Sequence, residues 1–161
     1  MRKCERKLLS NCKIKDVCKM GGTDIKYLFW NLKGKNLLAP LRELIIENSV
    51  DILALAECKG IDCQSLINSL HIVDEEWKLV EVCPKGDMKV FAKRSIKILP
   101  HMEEKNYALY KVDVGENKEL LAVVHLCSAL YSEENIRDRE AENISRIFKK
   151  VEEELFGEEC Y

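Results

Sequence analysis

Two polar residues stand where apolar runs stop. Asn31 follows Leu28, Phe29 and Trp30, and Glu57 closes the run DILALAE at positions 51 to 57. An amide offers one acceptor oxygen and two N–H donors, and a carboxylate offers two acceptor oxygens, so side chains of these types brought together can bind a ligand. Eight cysteines are the other reactive group in the 161 residues. Their spacing suits neither a disulfide framework nor zinc: Cys4, Cys12 and Cys18 make no CxxC, and Cys58 and Cys63 lack a second close pair or a His-x-x-x-His. They read as reduced thiols, with Cys83 and Cys127 packed as small apolar groups.

The elements around Asn31 and Glu57 decide whether the two meet. IKYLFWN is rich in β-branched and aromatic residues and predicts a strand. After the turn KGKN, Leu37, Leu38, Leu41, Leu44 and Ile45 recur at helical spacing, with Asn36 available as a cap and Pro40 tolerable in the first turn. DILALAE is a continuous apolar run of strand length, as in a strand covered on both faces. Such a strand-helix-strand crossover pairs its strands in parallel and brings both carboxyl ends to one edge of the sheet. That edge is where open α/β sheets usually bind ligands, and Asn31 and Glu57 reach it together.

Further along, SLINSLHI predicts a short helix in which His71 is a packed or surface residue. WKLVEV, MKVFAKR, IKILP, YALYKVDV and ELLAVVHL predict short strands, mostly antiparallel, separated by Pro84, Gly86, Asp87, Pro100 and a GEN turn. From about Ser132 to Leu155 a stripe of Ile136, Ile144, Ile147, Phe148, Val151 and Leu155 predicts an amphipathic helix. Residues 1 to 24 are basic and weakly periodic; they read as an N-terminal extension with a short helix around Glu5 to Leu9.

Composition sets the class. With 47% hydrophobic residues, 34% charged and a formal net charge of −2, the chain has the balance of one globular domain able to bury a core without staples. The total charge does not mark a strongly basic nucleic-acid binder, although a local basic patch would not show in it. No apolar run reaches membrane-span length and MRKCERKLL lacks the apolar core of a signal peptide, so a cytoplasmic location and no membrane partner are expected.

In their order and spacing, LFWN, a helix, DILALAE, and later VVHLCS followed by a helix bearing Arg137 and Arg139 resemble the endonuclease/exonuclease/phosphatase family. The resemblance covers residues 25 to 161. It implies an α/β chain of the α+β sandwich type: part of a DNase I-like two-sheet sandwich flanked by helices, with a mixed sheet begun by the strand-helix-strand unit. It also implies that Asn31 and Glu57 help hold a divalent metal, magnesium with manganese as substitute, because a hard cation prefers oxygen ligands and keeps several waters. His125 matches the family's phosphate-contacting histidine and is the implied catalytic residue, and Arg137 or Arg139 would add phosphate-binding guanidinium groups.

Two departures qualify that expectation. Lys33 occupies a position where DNA-repair members often carry an acid. Family members also continue past the long helix into an Asp-x-Asn strand and an Asp-His pair, whereas neither GDxN nor SDH occurs here, and Asp113 and Asp138 stand in other contexts. The chain therefore reads as the amino-terminal part of such a domain. One uncovered sheet face and edge are expected, met by self-association or a complementing chain. The implied function is a metal-dependent phosphohydrolase acting on nucleic-acid phosphodiesters, with little cleavage expected of these 161 residues alone. The alternative is a nuclease-like module that binds or regulates without catalysis, or one half of a split assembly.

Overall fold

The computed structural model describes residues 12–16, 25–71, 76–80, 87–114, 117–126 and 134–157. Along them run β1 (Cys12–Asp16), β2 (Lys26–Asn31), α1 (Leu38–Asn48), β3 (Ile52–Ala56), α2 (Cys63–His71), β4 (Trp77–Val80) and β5 (Lys89–Lys93). Then come β6 (Lys97–Glu103), β7 (Tyr107–Val114), β8 (Asn117–Val124) and α3 (Glu134–Phe156). The strands form two sheets, one ordered β1-β2-β3-β5-β4 and the other β6-β7-β8.

The crossover expected from the sequence is present: β2 and β3 pair in parallel around α1, and the remaining pairs are antiparallel. All five residues of β3 are buried, because it lies between β2 and β5 with a covered face on each side. In β2 the side chains alternate: Leu28 and Trp30 pack toward Leu41, Ile45, Leu66 and Leu70 of the helices, while Tyr27 and Phe29 pack toward the second sheet. Each fully buried side chain of this size contributes about 2 kcal/mol.

A second core fills the space between the sheets, where Ile52, Ala54, Val90 and Ala92 meet Ile98, Ala108, Tyr110 and Val112. A third joins Tyr107 and Leu109 of β7 to Ile144 and Val151 of α3. The result is four layers, helices on sheet on sheet on helix. The uncovered sheet face expected from the sequence is therefore not found among the described residues. Strands β6, β7 and β8 build the second sheet within this chain, and α3 covers its outer side.

Local details follow the residues. Asn36 Oδ1 accepts the Leu38 N–H at 3.3 Å, one position earlier than a regular cap, since Leu37 is the N-cap residue. His71 Nε2 lies 3.0 Å from the Trp77 carbonyl, which gives that ring a packing role. β1 comes from the segment that the sequence leaves as an extension; its alternating charged residues are too few to register as a strand, but pairing with β2 supplies the missing partner. The helix expected around Glu5 to Leu9, and Cys83 and Cys127, lie outside the described residues. No helix among the described residues is long and apolar enough to cross a membrane.

Candidate functional site

Parallel pairing sets the first relationship. Asn31 is aligned with Ala56, so Glu57 stands one residue beyond it on the neighbouring strand. Asn31 Nδ2 donates to Glu57 Oε1 at 2.8 Å, and Asn31 Oδ1 accepts the Lys33 N–H at 2.9 Å. Those partners determine which way the amide faces, because a backbone N–H can only donate and an ionised carboxylate can only accept. The amide thus holds the carboxylate rather than competing with it.

Both strands end in left-handed backbone, with φ of 52° at Lys33 and 48° at Glu57. For residues that carry a Cβ this costs roughly 1–2 kcal/mol each, and the surrounding loops supply the restraint. Gly34 N–H donates to the Glu57 carbonyl at 2.8 Å, and Leu32 N–H to the Ala56 carbonyl at 3.0 Å. Gly60 is pressed against the same turn: a Cβ there would stand 2.7 Å from the Gly34 carbonyl oxygen. On the other side, Cys58 N–H and Sγ both approach the Asp87 carbonyl, at 3.3 and 3.2 Å.

His125 reaches the same edge from the end of β8. Its N–H donates to the Asn106 carbonyl at 2.8 Å, and its Nε2 lies 3.4 Å from Glu57 Oε1. The first sheet thus presents the carboxylate and the second presents the imidazole. Their side chains remain 41% and 30% exposed, which leaves room for a ligand. Among the described residues the other carboxylate oxygen, Oε2, takes no hydrogen bond.

The long helix is tied to this edge through Asn106, whose Nδ2 bonds Glu140 Oε1 of α3. Arg137 lies one turn before Glu140 on the same side of the helix. Its Nε is buried and finds no hydrogen-bond partner among the described residues. Arg139 is exposed to solvent. Of the five candidates, the structure joins Asn31, Glu57 and His125 directly; it sets Arg137 on the tethered side of α3 and leaves Arg139 outside.

The donor set suits a hard cation better than a soft one. Glu57 Oε2 and the remaining lone pair of Asn31 Oδ1 are oxygens, and among the described residues no group of three or more His, Cys, Asp or Glu side chains is arranged to hold a metal. Asp113 does not reach the site: it pairs with Lys97 Nζ at 2.5 Å, toward the end of β7 opposite Tyr107, whose partner Val124 precedes His125. At about 3.3 Å per residue the separation along β7 is roughly 20 Å.

The chain is similar to a solved endonuclease domain. That structure is the endonuclease domain of TRAS1, a telomere-specific non-LTR retrotransposon; the superposition has a TM-score of 0.53 at 11% identity and covers 79% of this chain. The likeness is one of fold, a nuclease-like, DNase I-like arrangement of two sheets and flanking helices. The chain spans 53% of the length of that domain. No family model and no curated protein matches the sequence.

Several supporting residues escaped the sequence reading. Gly60, Asn106 and the left-handed Lys33 shape the edge through backbone atoms, which side-chain patterns do not reveal. The signal available was the pair of KG dipeptides, Lys33-Gly34 and Lys59-Gly60, each just past a strand end.

Proposed function

We propose that Asn31, Glu57 and His125 form the cation and phosphate end of a metal-dependent nucleic-acid phosphodiesterase site. The observation that carries this reading is the convergence of the Asn31 and His125 side chains on one carboxylate oxygen, Glu57 Oε1, from the two different sheets. The nuclease-like fold supports it, since the convergence lies at the strand ends where such a fold would receive a phosphodiester.

Glu57 would hold magnesium through Oε2, with Asn31 orienting the carboxylate through Nδ2 and offering its second amide lone pair to the ion or its water. When bound, the cation supplies charge neutralisation at the phosphoryl oxygens and a more acidic water. His125, anchored at its backbone by Asn106 and with its Nε2 3.4 Å from Glu57 Oε1, would donate to a phosphate oxygen there. The Nε of Arg137, buried and without a hydrogen-bond partner among the described residues, supports a phosphate near the start of α3, because an orphaned guanidinium N–H is costly unless an acceptor arrives.

The test is magnesium-dependent binding of a fluorescent oligonucleotide by the 161-residue chain, read by anisotropy and by gel for cleavage. Binding that rises with magnesium and is lost in Glu57→Gln supports the site. Binding indifferent to both overturns it. Magnesium-dependent binding without cleavage would place the chain with nuclease-like binding modules, and cleavage abolished by Glu57→Gln would place it with the enzymes.

A further inference from the structure

Cys63 and Lys89 meet outside the Glu57 site. Lys89, from β5, places its Nζ 2.9 Å from Cys63 Sγ. Cys63 is the first residue of α2, and the preceding Asp62 caps that helix by accepting the Ser65 N–H at 2.8 Å. Sulfur is therefore met by the Lys89 ammonium and belongs to the first residue of a helix, and both a nearby cation and a helix amino end favour negative charge on a sulfur. The contact is reciprocal: the hydrogen bond to Cys63 holds the Lys89 ammonium above the usual lysine range.

Cys58 supplies an internal contrast five residues earlier. It is 1% exposed, its Sγ is engaged with the Asp87 carbonyl at 3.2 Å, and burial pushes its thiol up. Cys63 stays partly open to solvent. Two cysteines share one stretch of backbone, yet only one combines access with a cation in contact.

We propose that Cys63 and Lys89 form a modification site for small hydroperoxides. The Cys63 thiolate attacks one peroxide oxygen; the S–O bond forms as the O–O bond breaks, and the electron pair leaves with the second oxygen. The Lys89 ammonium gives a proton to that oxygen, so hydrogen peroxide departs as water and lysine is left neutral. Sulfur is oxidised by two electrons to a sulfenic acid and the peroxide is reduced by two. A thiol reacts in this way when it is accessible and a cation stands beside it; Cys63 combines the two, and Cys58 is buried.

The experiment treats the reduced full chain with limiting hydrogen peroxide in the presence of a cyclic 1,3-diketone, which traps sulfenic acids, and maps the adducts peptide by peptide. Cys63 is expected to be trapped well ahead of Cys58 in the unaltered protein, a comparison that needs no variant. Lys89→Met should slow trapping at Cys63 on the order of tenfold, and Lys89→Arg should keep most of the rate because the charge is retained. Trapping of Cys58 as fast as Cys63, or an unchanged Cys63 rate in Lys89→Met, would overturn the proposal. The readout involves no nucleic acid and no magnesium, so it stands or falls apart from the nuclease reading.

Discussion

Asn31 and Glu57 are joined side chain to side chain across two parallel strands, amide nitrogen to carboxylate oxygen, at 2.8 Å. The amide makes the carboxylate a fixed object instead of a mobile surface group. Replacing the donor by a second acceptor tests that role directly. In Asn31→Asp two carboxylates face each other, and neutral-pH stability should fall by about 1–3 kcal/mol. Because proton sharing or a bound cation relieves like charge, thermal melts at pH 7 should recover on acidification or on adding magnesium. A melt unchanged by the substitution and by magnesium would sink the reading.

Glu57 carries its side chain on left-handed backbone with φ 48°. Glycine adopts that conformation freely and alanine does not. Glu57→Gly should therefore be more stable than Glu57→Ala by about 1 kcal/mol, with both variants losing magnesium response. Denaturant midpoints of the pair, compared at equal m-value, separate backbone strain from loss of the carboxylate.

Gly60 has no such freedom to grow. A Cβ there would meet the Gly34 carbonyl oxygen at 2.7 Å, and that obstacle is backbone. Gly60→Ala should cost about 1–3 kcal/mol by overpacking and should weaken magnesium response by moving the loop after Glu57. Urea unfolding and calorimetric magnesium titration read the two effects, and a fully wild-type magnesium affinity would show that the loops are not coupled.

Two tyrosines set an alkaline limit. Burial, aided by neighbouring Glu119 for Tyr27 and Glu103 for Tyr110, raises both phenols well above their ordinary value of about 10. The folded chain then holds these protons more tightly than the unfolded chain, so their contribution is fully present below about pH 10 and is lost as pH rises beyond it. The urea midpoint should fall steeply above that pH. Tyr27→Phe and Tyr110→Phe should each flatten the decline, although Tyr27→Phe also gives up the 3.0 Å bond from its hydroxyl to Glu119.

How far the sequence could be read depends on where the information lay. The parallel β2-α1-β3 unit was legible because its apolar periods change cleanly from strand to helix to strand, and the edge position of Asn31 and Glu57 followed from it. The pairing of the two sheets was not, since it rests on which face of β5 and β6 turns inward across the tight connection at Arg94 to Ile96. Likewise β1 owes its form to a partner strand, and the anchoring of His125 owes its form to a carbonyl of Asn106 that no side-chain motif announces.

The registry of β2 on β3 sets how this chain can lengthen or shorten. Residues added within the turn before α1 would be absorbed by loop and helix, because neither end of the crossover would have to move. A single residue inserted between Ile52 and Glu57 would instead rotate every following side chain onto the opposite face of the sheet. Glu57 would then point into the packed layers, away from Asn31 and His125. Length variation among any relatives of this chain should accordingly collect in the connections and stop at the borders of β3.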